Sequence, residues 1–319
     1  MCSPATGDPS RPLVHCEPAG AESTAANRRA GLEQEKHVML PGLSDADSEA
    51  ADRVGTLLHT PGRLGVAFSG GVDSSVLLAL AVRALGADRV VAVLGVSPSL
   101  AADERTAALR VAVKIGARVV EVATHEGDLP AYRANGPDRC FHCKDELFAR
   151  ISAEVVRAHG LTAVAYGENA DDVVRADRPG GRAAMRHRVL RPLADAGLDK
   201  AAVRRIAAAL GLPCADKPAA PCLASRIPHF SEVTPQKLRQ VEAAERGLRG
   251  LGFSDCRVRH HGDVARIEVP VAEIVALAGD LRESALAVVR AAGFRMVAVD
   301  LAGMQSGAFT LSLIGVRHG

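Results

Sequence analysis

The chain is 319 residues long, room for two domains or for one large domain with a tail, and 48% of it is hydrophobic, enough for a sizeable core. Aromatic residues make up only 3% and Trp is absent, so the core must be Ala, Val and Leu, which suits an α/β enzyme better than an all-β module. The formal net charge of +2 argues against nucleic-acid wrapping and against an anionic membrane surface, and no apolar run approaches the roughly 20 residues of a spanning helix.

Residues 1–50 are rich in Pro, Ala, Ser, Gly and charge without sustained periodicity, and read as a mobile tail. The first 20 residues lack an apolar h-region and so do not read as a secretory signal; the expected compartment is the cytoplasm. The seven cysteines, at 2, 16, 140, 143, 214, 222 and 256, are an odd and scattered set rather than a disulfide framework. In a reducing compartment their uses are metal, cluster or thiol chemistry, with Cys2 and Cys16 read as incidental.

From residue 64 short apolar runs alternate with helical patterns. Strands are predicted over 64–68, 89–94, 118–122 and 161–166, and helices over 74–85, 101–115 and 145–159. Continuous apolar strands alternating with helices argue for a parallel sheet covered on both faces, with ligands at the carboxyl ends of the strands. The first strand runs into Ser69-Gly70-Gly71-Val72-Asp73-Ser74-Ser75 and then a helix. That layout points backbone N–H groups and a positive helix end at an anion, the glycines let the main chain approach a phosphate, and the serines add donors. Asp73 would repel a bare phosphate, so a Mg²⁺ between them is expected. No Gly-Lys-Ser/Thr follows, so this is not a Walker A loop. The loop resembles the SGGxDS signature of the PP-loop ATP pyrophosphatases; an ordinary glycine-rich turn is the plain alternative.

Arg139-Cys140-Phe141-His142-Cys143-Lys144 places a C-x₂-C pair just before the third of these helices. Neighbouring cations and a helix N-terminus favour the thiolate. Two cysteines do not complete a tetrahedral metal site, and Cys222 is the candidate third ligand. After the fourth strand, Gly167-Glu168-Asn169-Ala170-Asp171-Asp172 falls on the same ligand edge; Asp-Asp there suits a metal, a ribose or an amine, though Asn and Asp are also common caps and turns. Asp177-Arg178-Pro179-Gly180 and Arg191-Pro192-Leu193 continue this stretch. A helix over 200–210 precedes a Pro-rich bridge over 212–228 that contains Cys222, whose plain alternative is a small buried hydrophobe.

Beyond the bridge the pattern changes to a helix over 235–251, a hairpin with strands over 256–260 and 265–269, a helix over 271–292 and a strand over 294–301. This reads as a separate small α+β domain. The expected division is a tail over 1–50, a nucleotide domain over 51–228 and a small domain over 229–319. In Arg257-Val258-Arg259 the two guanidinium groups point to one strand face, suited to phosphate or carboxylate, with Glu245 and Glu268 able to supply carboxylates nearby; a solvated charged face is the alternative.

Taken in order, SGGVDSS, RCFHCK, GENADD, DRPGG, RPLADAGLDK, DKPAAPCLASRIP, RVRHHGDVARIE and DLAGMQSG resemble the LarE family of sulfur transferases, from about Ala50 onward. The resemblance implies a PP-loop, adenine nucleotide alpha hydrolase-like fold and a role in making the nickel-pincer nucleotide cofactor. Its substrate would be pyridinium-3,5-biscarboxylic acid mononucleotide, whose carboxylates become thiocarboxylates. Carried over by motif, Ser69, Gly70, Gly71, Asp73, Ser74, Ser75, Asn169 and Asp172 bind ATP and pyrophosphate, and Asp73 holds Mg²⁺. Cys222, Asp73, Glu245 and Glu268 are the catalytic candidates, and Ser225, Arg226, Arg257 and Arg259 bind the substrate phosphate. Cys140, Cys143 and Cys222 match the members that hold a 4Fe-4S cluster, whereas others use one cysteine sacrificially. Two positions depart from the pattern: Phe141 stands where tyrosine is expected and Glu168 where Thr or Ser is common.

The expected reaction is adenylation of a carboxylate by ATP·Mg²⁺ followed by attack of sulfur and loss of AMP. Whether the sulfur is that of Cys222 or a cluster-bound sulfide is left open. The expected partners are the small-molecule nucleotide and a sulfide source, with no nucleic acid and no membrane, and a homo-oligomer left open. The rivals are another PP-loop enzyme, such as a tRNA thiolase or an NAD-synthetase-like amidotransferase, and a non-catalytic module that binds a metal and ATP.

Overall fold

The computed structural model describes residues 42–174, 180–218 and 220–304. Cys2 and Cys16, Asp177, Arg178, Pro179, Ala219, and Gln305 and Ser306 lie outside the described residues. The first described element is helix α1 (Asp45–Leu57), which starts inside the stretch expected to be tail. Ser44 caps it by accepting from the Asp47 N–H at 3.2 Å, and Ala50, Ala51 and Val54 are buried on its inner face. Their short apolar stripe is too brief to stand out from the Ala- and Ser-rich sequence before it.

Then follow β1 (Arg63–Ala67), α2 (Val72–Leu85), β2 (Val90–Val96), α3 (Ala102–Ile115), β3 (Arg118–Ala123), α4 (Arg139–Arg150), β4 (Leu161–Tyr166) and α5 (Lys200–Ala209). The four strands form a parallel sheet in the order β3-β2-β1-β4, the α/β architecture expected from the alternation of apolar runs and helices. The strand β2 shows why both faces are covered. Val90, Ala92 and Leu94 join the core beneath α1, α2, α3 and α5, whereas Val91 and Val93 join the opposite core with Phe148, Ile151 and Val155.

Helix α4 begins six residues earlier than its apolar pattern predicts, so the C-x₂-C pair sits in its first turn instead of before it. The polar and sulfur-bearing residues of that turn carry no apolar periodicity to announce it. The helix widens into a π turn over Ile151–Val155 and ends at Val156–His159.

The second sheet comprises β5 (Arg257–His261), β6 (Val264–Glu268) and β7 (Met296–Val299), with α6 (Pro235–Gly250) before it and α7 (Arg282–Ala291) before β7. The β5–β6 pair is the expected hairpin, and β7 adds parallel to β6. The single helix expected over 271–292 is broken into Val271–Glu273, Ile274–Ala278 and α7. The break falls at Gly279, whose ψ of −108° no helix continues through. Phe253, Cys256, Val258, Ile267, Val289 and Phe294 fill the core between this sheet and its helices.

Candidate active site

The strand order reverses direction between β1 and β4, and a crevice at such a switch point is where doubly wound sheets bind ligands. The loop after β1 carries Ser69 to Ser75, and the loop after β4 carries Gly167 to Asp172. Gly70 has φ +74°, and a Cβ there would lie 2.6 Å from Ala108 Cβ and 2.7 Å from Ala108 Cα on α3. Gly167 is as tightly placed, since its Cβ would meet the Ser74 backbone N at 2.7 Å. The two loops therefore approach backbone to backbone, and only glycine permits it.

Within the first loop Ser74 Oγ accepts from the Ser69 N–H at 3.2 Å and donates to the Gly71 carbonyl at 3.1 Å, holding the turn at the start of α2. Ser75 is fully buried, and its hydroxyl has no partner among the described residues. Asp73 Oδ1 accepts from Asn169 Nδ2 at 3.1 Å, and Asp73 Oδ2 pairs with Lys200 Nζ at 2.5 Å. Asn169 caps the short turn Ala170–Val173, accepting from the Asp172 N–H at 3.1 Å, and its amide also donates to Asp172 Oδ2 at 3.0 Å. Two carboxylates thus share one amide at the mouth of the crevice, a donor set that fits a hard divalent cation. Lys200 is the residue that sequence reasoning missed: it opens α5 after the Asp199 cap, and only the packing of α5 against α2 brings it to Asp73.

A second group of side chains adjoins the carboxyl end of β2. Cys140 and Cys143 lie three residues apart in the first turn of α4, on one face. Cys222 precedes the short turn Leu223–Arg226, whose Leu223 N–H donates to the Ser99 carbonyl just past β2 at 3.0 Å. Burial pushes the Cys143 thiol well up, and Glu126, Cys222 and Cys140 push it in the same direction, so the three sulfurs act on one another. The Cys222 thiol is reachable by solvent yet ringed by protein, and that desolvation raises its pKa while Arg139 pulls the other way. Arg139 is buried between them, donating to Asn135 Oδ1 at 2.6 Å and to the Ala224 carbonyl at 2.9 Å. Tyr132 forms the floor, bonded to Ser99 Oγ at 2.6 Å.

Among the described residues no three His, Cys, Asp or Glu side chains close on one point tightly enough to hold a single metal ion. The other two described cysteines lie apart from this group: Cys214 is packed in the core of the first sheet, and Cys256 lies in the second core with its thiol donating to the Glu245 carbonyl at 3.4 Å.

The third group joins the Cys222 loop to the second sheet. Arg226 makes a fork with Glu245, at 2.8 Å from Nε to Oε1 and 3.2 Å from Nη2 to Oε2, both side chains buried. Arg259 makes a similar fork with Glu268, at 2.9 and 2.7 Å, and donates to the Ser225 carbonyl at 3.1 Å. Arg257 is buried beside them; desolvation lowers its pKa, and the like charges of Arg226 and Arg259 lower it further. Arg226, Arg257 and Arg259 thus gather three guanidinium groups in one buried region, the kind of surroundings that favour an anion. Glu245 and Glu268 serve as partners of these arginines in the structure.

The asparagine synthase family matches residues 48–257. The chain is 41% identical over 243 residues to an uncharacterized protein of Synechocystis sp., a match that covers 76% of this chain and 90% of that one. It is 35% identical over 248 residues to the pyridinium-3,5-bisthiocarboxylic acid mononucleotide synthase of Lactiplantibacillus plantarum, covering 77% of this chain and 88% of that enzyme. A shorter match, 31% over 135 residues, links it to an uncharacterized protein of Methanocaldococcus jannaschii, covering 42% of this chain and 52% of that one. Similarity to the Lactiplantibacillus enzyme over most of both chains, on a PP-loop sheet, makes this protein a member of the LarE family of ATP-using sulfur transferases.

Proposed function

We infer that the protein converts carboxylates of pyridinium-3,5-biscarboxylic acid mononucleotide to thiocarboxylates in nickel-pincer cofactor biosynthesis. The observation that carries the reading is the position of the Cys222 loop: its Leu223 N–H is tied to the end of β2 beside the glycine loop, and its Ser225 carbonyl is held by Arg259 of the cationic cluster. A sulfur-handling thiol between a nucleotide crevice and an anion site is the arrangement a carboxylate-activating sulfur transferase needs.

The substrate carboxylate attacks the α-phosphorus of ATP, and the bond to the β-phosphate breaks, so that pyrophosphate leaves and an acyl-adenylate remains. The N–H groups of the Ser69–Ser75 loop and Lys200 hold the departing pyrophosphate. Asp73 and Asp172 would hold Mg²⁺, which when bound offsets phosphate charge. Arg257 and its neighbours Arg226 and Arg259 provide the positive field for the substrate phosphate. Sulfur then attacks the activated carbonyl, and AMP leaves.

Cys140, Cys143 and Cys222 would hold a 4Fe-4S cluster, because a cluster that takes one thiolate on each of three irons needs its ligands spread wider than a single ion does. When bound, such a cluster supplies a sulfide on the iron that no cysteine holds. Arg139 offsets the charge of the thiolates, and Tyr132 closes the recess from below. The active unit is expected to work in the cytoplasm with a sulfide source as its second partner.

The test is turnover with ATP and the biscarboxylic nucleotide, read by pyrophosphate release and by product mass. Thiocarboxylate formation is expected from anaerobically iron-loaded protein, with iron uptake lost in Cys140→Ser, Cys143→Ser or Cys222→Ser and kept in Cys214→Ser and Cys256→Ser. If the wild type takes up no iron yet forms thiocarboxylate and becomes about 34 Da lighter after a single turnover, Cys222 is itself the donor. Pyrophosphate release with incorporation of ammonia and no sulfur would assign an amidotransferase instead.

A further inference from the structure

We propose that Arg226 and Glu245 are positioning residues for Cys222, and that neither is a ligand of the substrate nor an acid or base in the reaction. The argument starts from how the Arg226 N–H groups are used. Nε and Nη2 are taken by the two Glu245 oxygens, and Nη1 donates to the Pro221 carbonyl at 2.7 Å and to Ser225 Oγ at 3.0 Å, with the Cys222 carbonyl at 3.5 Å. One guanidinium thus spans from a carboxylate on α6 to the Pro221 carbonyl before Cys222 and the Ser225 hydroxyl after it.

Glu245 is fixed in turn. Its Oε1 also accepts from the Val258 N–H on β5 at 3.0 Å, and Arg249 stands 3.7 Å from Oε2. The carboxylate is 2% exposed, and Arg226 is 7% exposed. A phosphate that took the Arg226 fork would strip a buried carboxylate of its main partner, so the fork is poorly suited to exchange. A general acid or base at Glu245 would have to give up the same fork to move a proton.

The loop is anchored at two further points. Leu223 N–H is held by the Ser99 carbonyl at 3.0 Å, and the Ser225 carbonyl is held by Arg259 Nη1 at 3.1 Å. Between those anchors Leu223, Ala224 and Ile227 pack on Tyr132 and on Val241 of α6. Pro221, Leu223 and Ser225 are therefore each tied to a different element, and Cys222 is the residue left presenting its side chain among them. Such a site holds its sulfur within a narrow range of positions, which is what attack on a bound acyl group requires.

The experiment uses the full-length, iron-free chain with Arg226→Lys and Glu245→Gln. The lysine keeps the charge but cannot span from Glu245 to the Pro221 carbonyl. The glutamine keeps the shape and an acceptor for the Val258 N–H. Peptide-resolved mass spectrometry follows alkylation by iodoacetamide, with Cys214, buried in the core of the first sheet, as the internal reporter of general loosening.

In Arg226→Lys the Cys222 rate is expected to rise at least about threefold while Cys214 stays unlabelled, with Glu245→Gln intermediate. In turnover by the anaerobically iron-loaded protein, kcat should fall by about tenfold or more with the substrate KM within about twofold of wild type. An unchanged Cys222 rate in Arg226→Lys overturns the proposal, and so does a raised KM with kcat retained, which would make Arg226 a substrate ligand. Labelling of Cys214 together with Cys222 in both variants also overturns it, since the pair would then hold the fold and not the loop. The turnover arm rests on the sulfur-transfer reading; the labelling arm needs no substrate, so failure of one does not carry over to the other.

Discussion

Replacing Gly70 with alanine tests the close approach of the glycine loop to α3. Two costs separate cleanly. The first is backbone strain: φ is +74°, and a left-handed alanine costs about 1–2 kcal/mol, offset by about 0.4–1 kcal/mol from the stiffer unfolded chain. The second is steric, because the new Cβ would lie 2.7 Å from Ala108 Cα, a backbone atom on the buried face of α3 that no rotamer change can move. Forcing such an overlap costs about 1–3 kcal/mol further. Gly116 at the end of α3 supplies the control, with φ +79° and nothing within 4 Å of its would-be Cβ.

Gly70→Ala should therefore be less stable than Gly116→Ala by about 1–3 kcal/mol, or roughly 2–12 °C in Tm at about 2–4 °C per kcal/mol. Gly71→Ala, at φ −73° with its nearest neighbour at 3.4 Å, should stay close to wild type. Thermal unfolding followed by circular dichroism measures all three. Equal Tm values for Gly70→Ala and Gly116→Ala would refute the backbone approach.

Asp73→Asn should lower pyrophosphate release by about two orders of magnitude, comparable to losing one transition-state partner. Its stability should change by less than about 1 kcal/mol, because Lys200 is 38% exposed and water screens the lost pair; near-normal release at limiting Mg²⁺ would contradict this. Arg257→Ala should weaken binding of the nucleotide substrate by about 1.5–3 kcal/mol, or roughly 10- to 150-fold, with ATP affinity unchanged in calorimetry. His260 is a buried neutral ring whose Nε2 meets Gln240 Oε1 at 3.1 Å, and desolvation, helped by Lys237, lowers its pKa. The folded chain thus resists protonating it: the stability it contributes is complete above the ordinary value of 6.5 and is lost as pH falls through the lower folded value. Between pH 7 and pH 5 the wild-type Tm should fall further than that of His260→Gln, and parallel curves would remove His260 from the account.

Much of this molecule can be read from local sequence. The strand predicted over 161–166 matches β4 to the residue, because a mostly apolar parallel strand bounded by Gly160 and Gly167 has unmistakable ends. The glycine loop was legible for the same reason, a turn chemistry that few other sites require. Less legible were features set by distant partners. Nothing around Lys200 in sequence says that it meets Asp73, and the forks of Arg226 with Glu245 and of Arg259 with Glu268 are cross-element pairings that spacing does not specify. The start of α4 was hidden because polar, capping and cysteine residues carry no helical stripe, and the break at Gly279 was hidden because the apolar pattern on either side continues through it.

The partners of Asp73 also fix when, during synthesis, the nucleotide crevice comes into being. Asn169 lies 96 residues beyond it and Lys200 lies 127 residues beyond it. At about 5–20 residues per second, the ribosome takes roughly 6–25 s to deliver the lysine after the aspartate. A nascent chain that ends before α5 has the glycine loop and Asn169 but lacks the lysine that pairs with Asp73. A ligand stabilises only those states that can bind it. ATP therefore gives no help to the early chain and tightens only the finished one, so that abundant cellular nucleotide protects completed protein while leaving interrupted products open to proteolysis.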